Sequence, residues 1–115
     1  MKTITINGKE YVVRPTALTP ILYKKLTGKD LLTHLNDKSI NPDSRIESIL
    51  KLFYVISIQA EHMDINEQFK LMEDETEYYK FINNLDSTVL YSEELLTQTV
   101  TVYTGSTQTV VESKN

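Results

Sequence analysis

The chain has no cysteine and no tryptophan, and only three glycines and three prolines in 115 residues. Without cysteine there is no disulfide, no thiolate ligand for zinc and no thiol nucleophile, so a hydrophobic core has to carry the fold. Glycine occurs only at Gly8, Gly28 and Gly105, each suited to a turn or a helix end, which excludes a Gly-rich phosphate loop. Long apolar runs are missing as well. The longest, Leu52 to Ile56, is far too short to span a bilayer, and the N-terminus alternates apolar and polar residues where a signal peptide would be continuously apolar. Basic charge is in deficit: twelve Lys and Arg against sixteen Asp and Glu leave a net charge of -4, which repels a phosphate backbone on average. Lys24, Lys25 and Lys29 cluster locally, as a solvated helix face does. Neither nucleic acid nor membrane is expected as a partner, and a soluble cytoplasmic protein is the expectation.

What is present is organised around one stretch, Pro42 to Met63. Ile46, Ile49, Leu50, Phe53, Ile56 and Ala60 recur at steps of three and four, which puts them on one stripe of a helix. Leu52, Tyr54, Val55 and Ile58 fall off that stripe, and no charge interrupts Leu52 to Ala60. The second half is therefore apolar nearly all round, the mark of a central helix. Asn41, Pro42 and Asp43 supply its start, with Asp43 as a cap and Glu47 in the first turn.

Ahead of it, Thr3 to Val13 reads as a β-hairpin. Two alternating β-branched runs flank Asn7-Gly8, the dipeptide that best tolerates the two positive φ values of a type I′ turn. A two-residue loop sets Ile6 opposite Lys9 and Ile4 opposite Tyr11, with Ile4, Ile6, Tyr11 and Val13 on one face that needs a helix to cover it. Pro15 stops the second strand. A helix follows between Thr16 and Leu26, capped by Thr16 or Thr19, with Leu18, Leu22, Leu26 and Ile21 as its buried stripe and Gly28 closing it. Asp30 to Leu35 forms a short helical segment and 36–41 a polar linker. Past Met63, Asp64 or Asn66 caps a helix carrying Ile65, Phe69 and Met72; Tyr78, Phe81, Ile82 and Leu85 mark another; Val89 to Leu96 marks a last short one. From Thr97 the composition turns Thr-rich, with TQTV at both Thr97 and Thr107. Two readings stand: a loosely ordered tail that becomes strand on a partner's edge, or a second hairpin about Gly105-Ser106 with Val100, Val102 and Val110 in its strands.

Chemistry finds no foothold. His34 and His62 lie in different segments, and His62 lacks the i, i+4 partner of a helical metal pair. Glu61, Asp64 and Glu67 are accounted for by helix starts. No serine or threonine sits in a nucleophile elbow or beside a His-acid pair. The expectation is no catalytic, cofactor or metal site.

Three segments in order, Ile4-Thr-Ile-Asn-Gly-Lys-Glu-Tyr11, Tyr23-Lys-Lys-Leu-Thr-Gly-Lys-Asp-Leu31 and Ala60-Glu-His-Met-Asp64, resemble the tail assembly chaperones of long-tailed bacteriophages and prophages of Gram-positive bacteria. The likeness covers about the first 70 residues and rests on order and spacing, since INGKEY and TGKDL are each a turn or a cap that backbone physics also favours. Arg14-Pro15-Thr16, Pro20 and the Thr-rich end depart from the family pattern. The resemblance implies a small, mostly helical, self-associating homo-oligomer that coats the tape measure protein, recruits tail tube subunits around it in the host cytoplasm, and is absent from the finished virion.

The reading is thus an α+β, mostly α-helical chain. A domain over 1–96 packs an N-terminal β-hairpin on a small helical bundle with a long central helix, and 97–115 is a Thr-rich tail. An apolar helix face left over after the core is made is what a partner binds. Tyr54, Val55 and Ile58, with Tyr78 and Tyr79, are the expected contact surface, and Val100, Val102 and Val110 in the tail are a second. Two other classes stand beside the chaperone: a virion head-tail joining component, and a small regulator that binds a single target.

Overall fold

Alternation and turn chemistry produce the hairpin as expected. In the computed structural model, which describes residues 1–36, 42–90 and 92–105, strand β1 (Lys2–Ile6) pairs antiparallel with β2 (Lys9–Val13), Ile6 against Lys9 and Ile4 against Tyr11. Asn7 and Gly8 both take positive φ, 53° and 82°. Ile4, Ile6 and Val13 face inward and are fully buried. Helix α1 (Thr19–Thr27) follows, with Pro20 in its first turn, where its missing N–H costs nothing. Gly28 closes α1 at φ 77°, donating its N–H to the Lys24 carbonyl. Neither threonine caps α1 as expected: its N-cap is Leu18, without a side-chain bond, while the Thr16 hydroxyl accepts from the Leu18 N–H.

After α2 (Leu31–Asn36), helix α3 (Pro42–Glu61) runs through the middle of the molecule. The expected linker beyond Asn36 and the Asp43 cap lie outside the described residues and side chains. From Ser48 to Gln59 every α3 residue except Lys51 is buried. One side of α3, through Ile49, Leu52, Phe53 and Ile56, meets the hairpin; the other, through Tyr54, Val55 and Ile58, meets Leu22 and Leu26 of α1 and two further helices. These are α4 (Ile65–Glu73) and α5 (Glu75–Asn83), which contribute Met72 and Tyr78. Each starts on a carboxylate: Asp64 accepts from the Glu67 N–H and Asp74 from the Thr76 N–H.

The last part of the chain departs from expectation. Val89 to Leu96 is two helices, α6 (Ser87–Leu90) and the start of α7 (Glu93–Thr104). Ser92 caps α7 and Gly105, at φ 69°, closes it. Residues 97–104 are therefore neither tail nor hairpin but the last two turns of the three-turn helix α7, and the domain does not stop at Leu96. Their buried positions, Leu95, Thr99 and half-buried Val102, are spaced at four and three. Helix α7 also closes the outer edge of β1. Gln98 accepts from the Thr5 N–H at 3.0 Å and donates to the Thr5 carbonyl at 2.8 Å, and Glu94 accepts from the Asn7 N–H. An unpaired strand edge is an aggregation hazard, and here a glutamine amide stands in for the missing strand at Thr5.

Candidate functional site

Burial decides which expected contact residues can meet a partner. Tyr54, Val55, Ile58 and Tyr78 cannot, at 1%, 0%, 7% and 3% exposure. The expected second face of α3 is covered by the chain's own α1, α4 and α5, so these four residues are core. Tyr54 shows how completely the space is used: its hydroxyl donates to the Leu71 carbonyl at 2.8 Å, and its ring meets Tyr78 and Phe81 edge-on at 5.5 and 5.2 Å. Burial pushes the Tyr54 hydroxyl up to about 12, with the Glu77 carboxylate adding to the shift. It raises Tyr78 further still, with Glu47 adding. Phenols buried and held neutral in this way serve the packing of α3 against α4 and α5.

Of the seven expected contacts among the described residues, Tyr79 is the one that stands out in solvent, 56% exposed beside the Tyr78 ring. Val100 and Val102 are half-buried on α7. Val110 lies outside the described residues. The other exposed large apolar side chains among the described residues are Met1 and Val12 at the hairpin, Ile21 on α1, Leu32 on α2, and Met63 and Ile65 around the start of α4. Ile21 and Ile65 had been expected on buried stripes. Each lies near the beginning of a short helix, where the stripe overhangs the core it was meant to cover.

The hollows among the described residues include three that lie between elements. A groove of about 400 Å³ between α1 and α4 is floored by Pro20, Ile21 and Phe69 and edged by Lys24, Lys25 and Asp30. A cleft of about 450 Å³ between α3 and α7 is walled by Ile46, Ile49, Leu96 and Val100, with Arg45, Thr97 and Thr101 at its rim. The third, about 140 Å³, is polar and joins Tyr23, Thr27 and Lys29 to Ser44, Ser48 and Lys51. Lys51 is engaged there, its ammonium 3.4 Å from Glu75 and over the Tyr78 ring at 5.5 Å.

Among the described residues no three His, Asp or Glu side chains come close enough to hold a metal ion. The His62 ring lies 3.7 Å from the carboxylate of neighbouring Glu61. Asp64 and Glu67 are used in the α4 cap, as the sequence indicated. Among the same residues no helix is long and apolar enough to cross a membrane. What the surface offers is shape and apolar area between helices. No protein-family model matches the chain, and no curated protein or solved structure matches it either.

Proposed function

We propose that this chain is a non-catalytic tail assembly chaperone of long-tailed bacteriophages, which self-associates and holds the tape measure protein and tail tube subunits before they assemble. The sequence support is the order and spacing of INGKEY, TGKDL and AEHMD. The observation that carries the reading on the structural side is the groove between α1 and α4. Ile21 and Phe69 form an apolar floor between two helix walls, and Lys24 and Lys25 line one edge. A groove of this kind takes the apolar face of an amphipathic helix, with Lys25 selecting acidic flanks on the incoming segment while Lys24 is paired with Asp30 at 3.3 Å. A helix-rich tape measure protein presents such segments repeatedly.

The test is a tagged pull-down from cells expressing the neighbouring phage genes, read by mass spectrometry. Recovery of a long helical tape measure protein that is insoluble without this chain is the expected result. A monodisperse monomer that recovers nothing contradicts the proposal and favours a regulator. Stable presence of the chain in purified particles favours a head-tail joining component instead.

A further inference from the structure

Asn-Gly occurs once in the chain, at the tip of the hairpin, and it is a pair whose backbone and side chain can react with each other. We infer that Asn7 is a deamidation site held in check by its contacts with α6 and α7, and that its conversion to a carboxylate releases the hairpin tip from those helices.

The reaction needs only water. Hydroxide removes the Gly8 amide proton, and the nitrogen attacks the carbonyl carbon of the Asn7 side chain. The adduct expels the side-chain nitrogen as ammonia, its extra proton coming from water, and leaves a five-membered imide. Water then opens the imide at either carbonyl, giving aspartate or isoaspartate at position 7 with nothing oxidised or reduced. Both partners lie at the surface. Asn7 and Gly8 are exposed, and glycine has no side chain to screen its nitrogen, with nothing within 4 Å of where a Cβ would sit.

The fold opposes the attack twice. The φ values of 53° at Asn7 and 82° at Gly8 match a type I′ turn, whose ψ of about 30° at the first residue turns the next nitrogen away from the side chain. The side chain is also anchored: Asn7 Nδ2 donates to Thr88 Oγ1 at 3.1 Å, and the Asn7 N–H donates to Glu94 at 3.0 Å.

The same contacts decide what the product does. The Thr88 hydroxyl donates its proton to Asp86 at 2.9 Å, so it offers Asn7 a lone pair. The site is built for a donor. A carboxylate at position 7 meets that lone pair instead, with Asp86 behind it and Glu94 beside it, while Lys9, whose charge acts on Asp86, supplies a single ammonium. Two carboxylates against one ammonium repel the new charge, and the tip loses its hold on α6 and α7.

The test follows the amide-to-acid mass change at position 7 in the full chain, incubated in mildly alkaline buffer and located by fragmentation. Wild type should react at least about tenfold more slowly than a free peptide of residues 3–9, because the turn and the anchor both have to open first. Thr88→Ala should react about fivefold faster than wild type, the weight of one exposed hydrogen bond. Asp64→Ala, which weakens the cap of α4, serves as the control for general destabilisation and should stay near the wild-type rate. Equal rates for wild type and peptide would overturn the inference, as would a Thr88→Ala rate equal to wild type. Equal acceleration in Asp64→Ala would also overturn it, by assigning the reaction to global unfolding. For the released tip, Asn7→Asp should lower the thermal midpoint, and by less in high salt, which screens the carboxylates. An Asn7→Asp chain that melts as wild type does contradicts the release.

Discussion

The Gln59 side chain is buried between the end of β2 and the start of α1, accepting from the Thr19 hydroxyl at 2.6 Å and donating to Thr16 at 2.8 Å. Arg14 reaches the Gln59 carbonyl from the other side, at 3.0 Å. This small polar knot ties the turn after the hairpin to α3. Replacing it with an isosteric apolar group, Gln59→Leu, leaves a buried hydroxyl on Thr19 and should cost about 2 kcal/mol in urea unfolding, with an unchanged m-value. A loss under ~0.5 kcal/mol would show that the knot is incidental. The buried phenols set the alkaline limit. Tyr54 rises from 10.0 to about 12 in the folded chain and Tyr78 rises more, so above pH 10 the unfolded chain releases phenol protons that the folded chain keeps. Stability is therefore complete below pH 10 and falls as pH rises towards 12, by about 1.4 kcal/mol per pH unit for each tyrosine. Tyr54→Phe should roughly halve that slope; an alkaline limb identical in the two proteins would contradict the assignment. At the acid end the logic inverts. Hydrogen bonds from Thr76 and Thr88 hold the Asp74 and Asp86 carboxyls below 3.8, so their support is present above that pH and is lost as the pH falls further.

Elements whose signal is local were legible in the sequence. Asn7-Gly8 predicts the hairpin and its register because the turn needs two positive φ values; Asn7 and Gly8 supply one each, and nothing lies within 4 Å of where a Cβ on Gly8 would sit. Gly8→Ala should accordingly cost about 1 kcal/mol from the backbone alone, with the fold retained. Asp64→Ala should cost a similar ~1 kcal/mol through the lost cap of α4. A neutral outcome for both in thermal melts would mean that packing, not local geometry, sets these elements. Helix α7 was not legible, for a physical reason. Its threonines and valines have strand propensity, and its buried position Thr99 is polar, so neither composition nor a simple apolar count reveals the helical spacing of Leu95, Thr99 and Val102. Contact with β1 and α3 overrides propensity there.

At the scale of the molecule, the long apolar helix was legible but its surroundings were not. Tyr54, Val55 and Ile58 lie on a real second face, and periodicity alone cannot say whether a partner or the chain's own helices cover it. Leu22, Leu26, Met72 and Tyr78 cover it. Val55→Asp or Ile58→Asp should therefore unfold the protein, by more than ~3 kcal/mol, because each buries an unpaired charge. Ile21→Glu on the exposed side of α1 should leave stability within about 0.5 kcal/mol. With α3 enclosed, the partner capture we propose is assigned to the outer groove between α1 and α4. The most direct measurement is the soluble yield of a tape measure protein co-expressed with wild type or with Ile21→Glu, Lys24→Glu and Lys25→Glu combined. The prediction is a soluble complex with wild type and an insoluble partner beside a folded triple variant. Equal soluble yields with the two chains would contradict it.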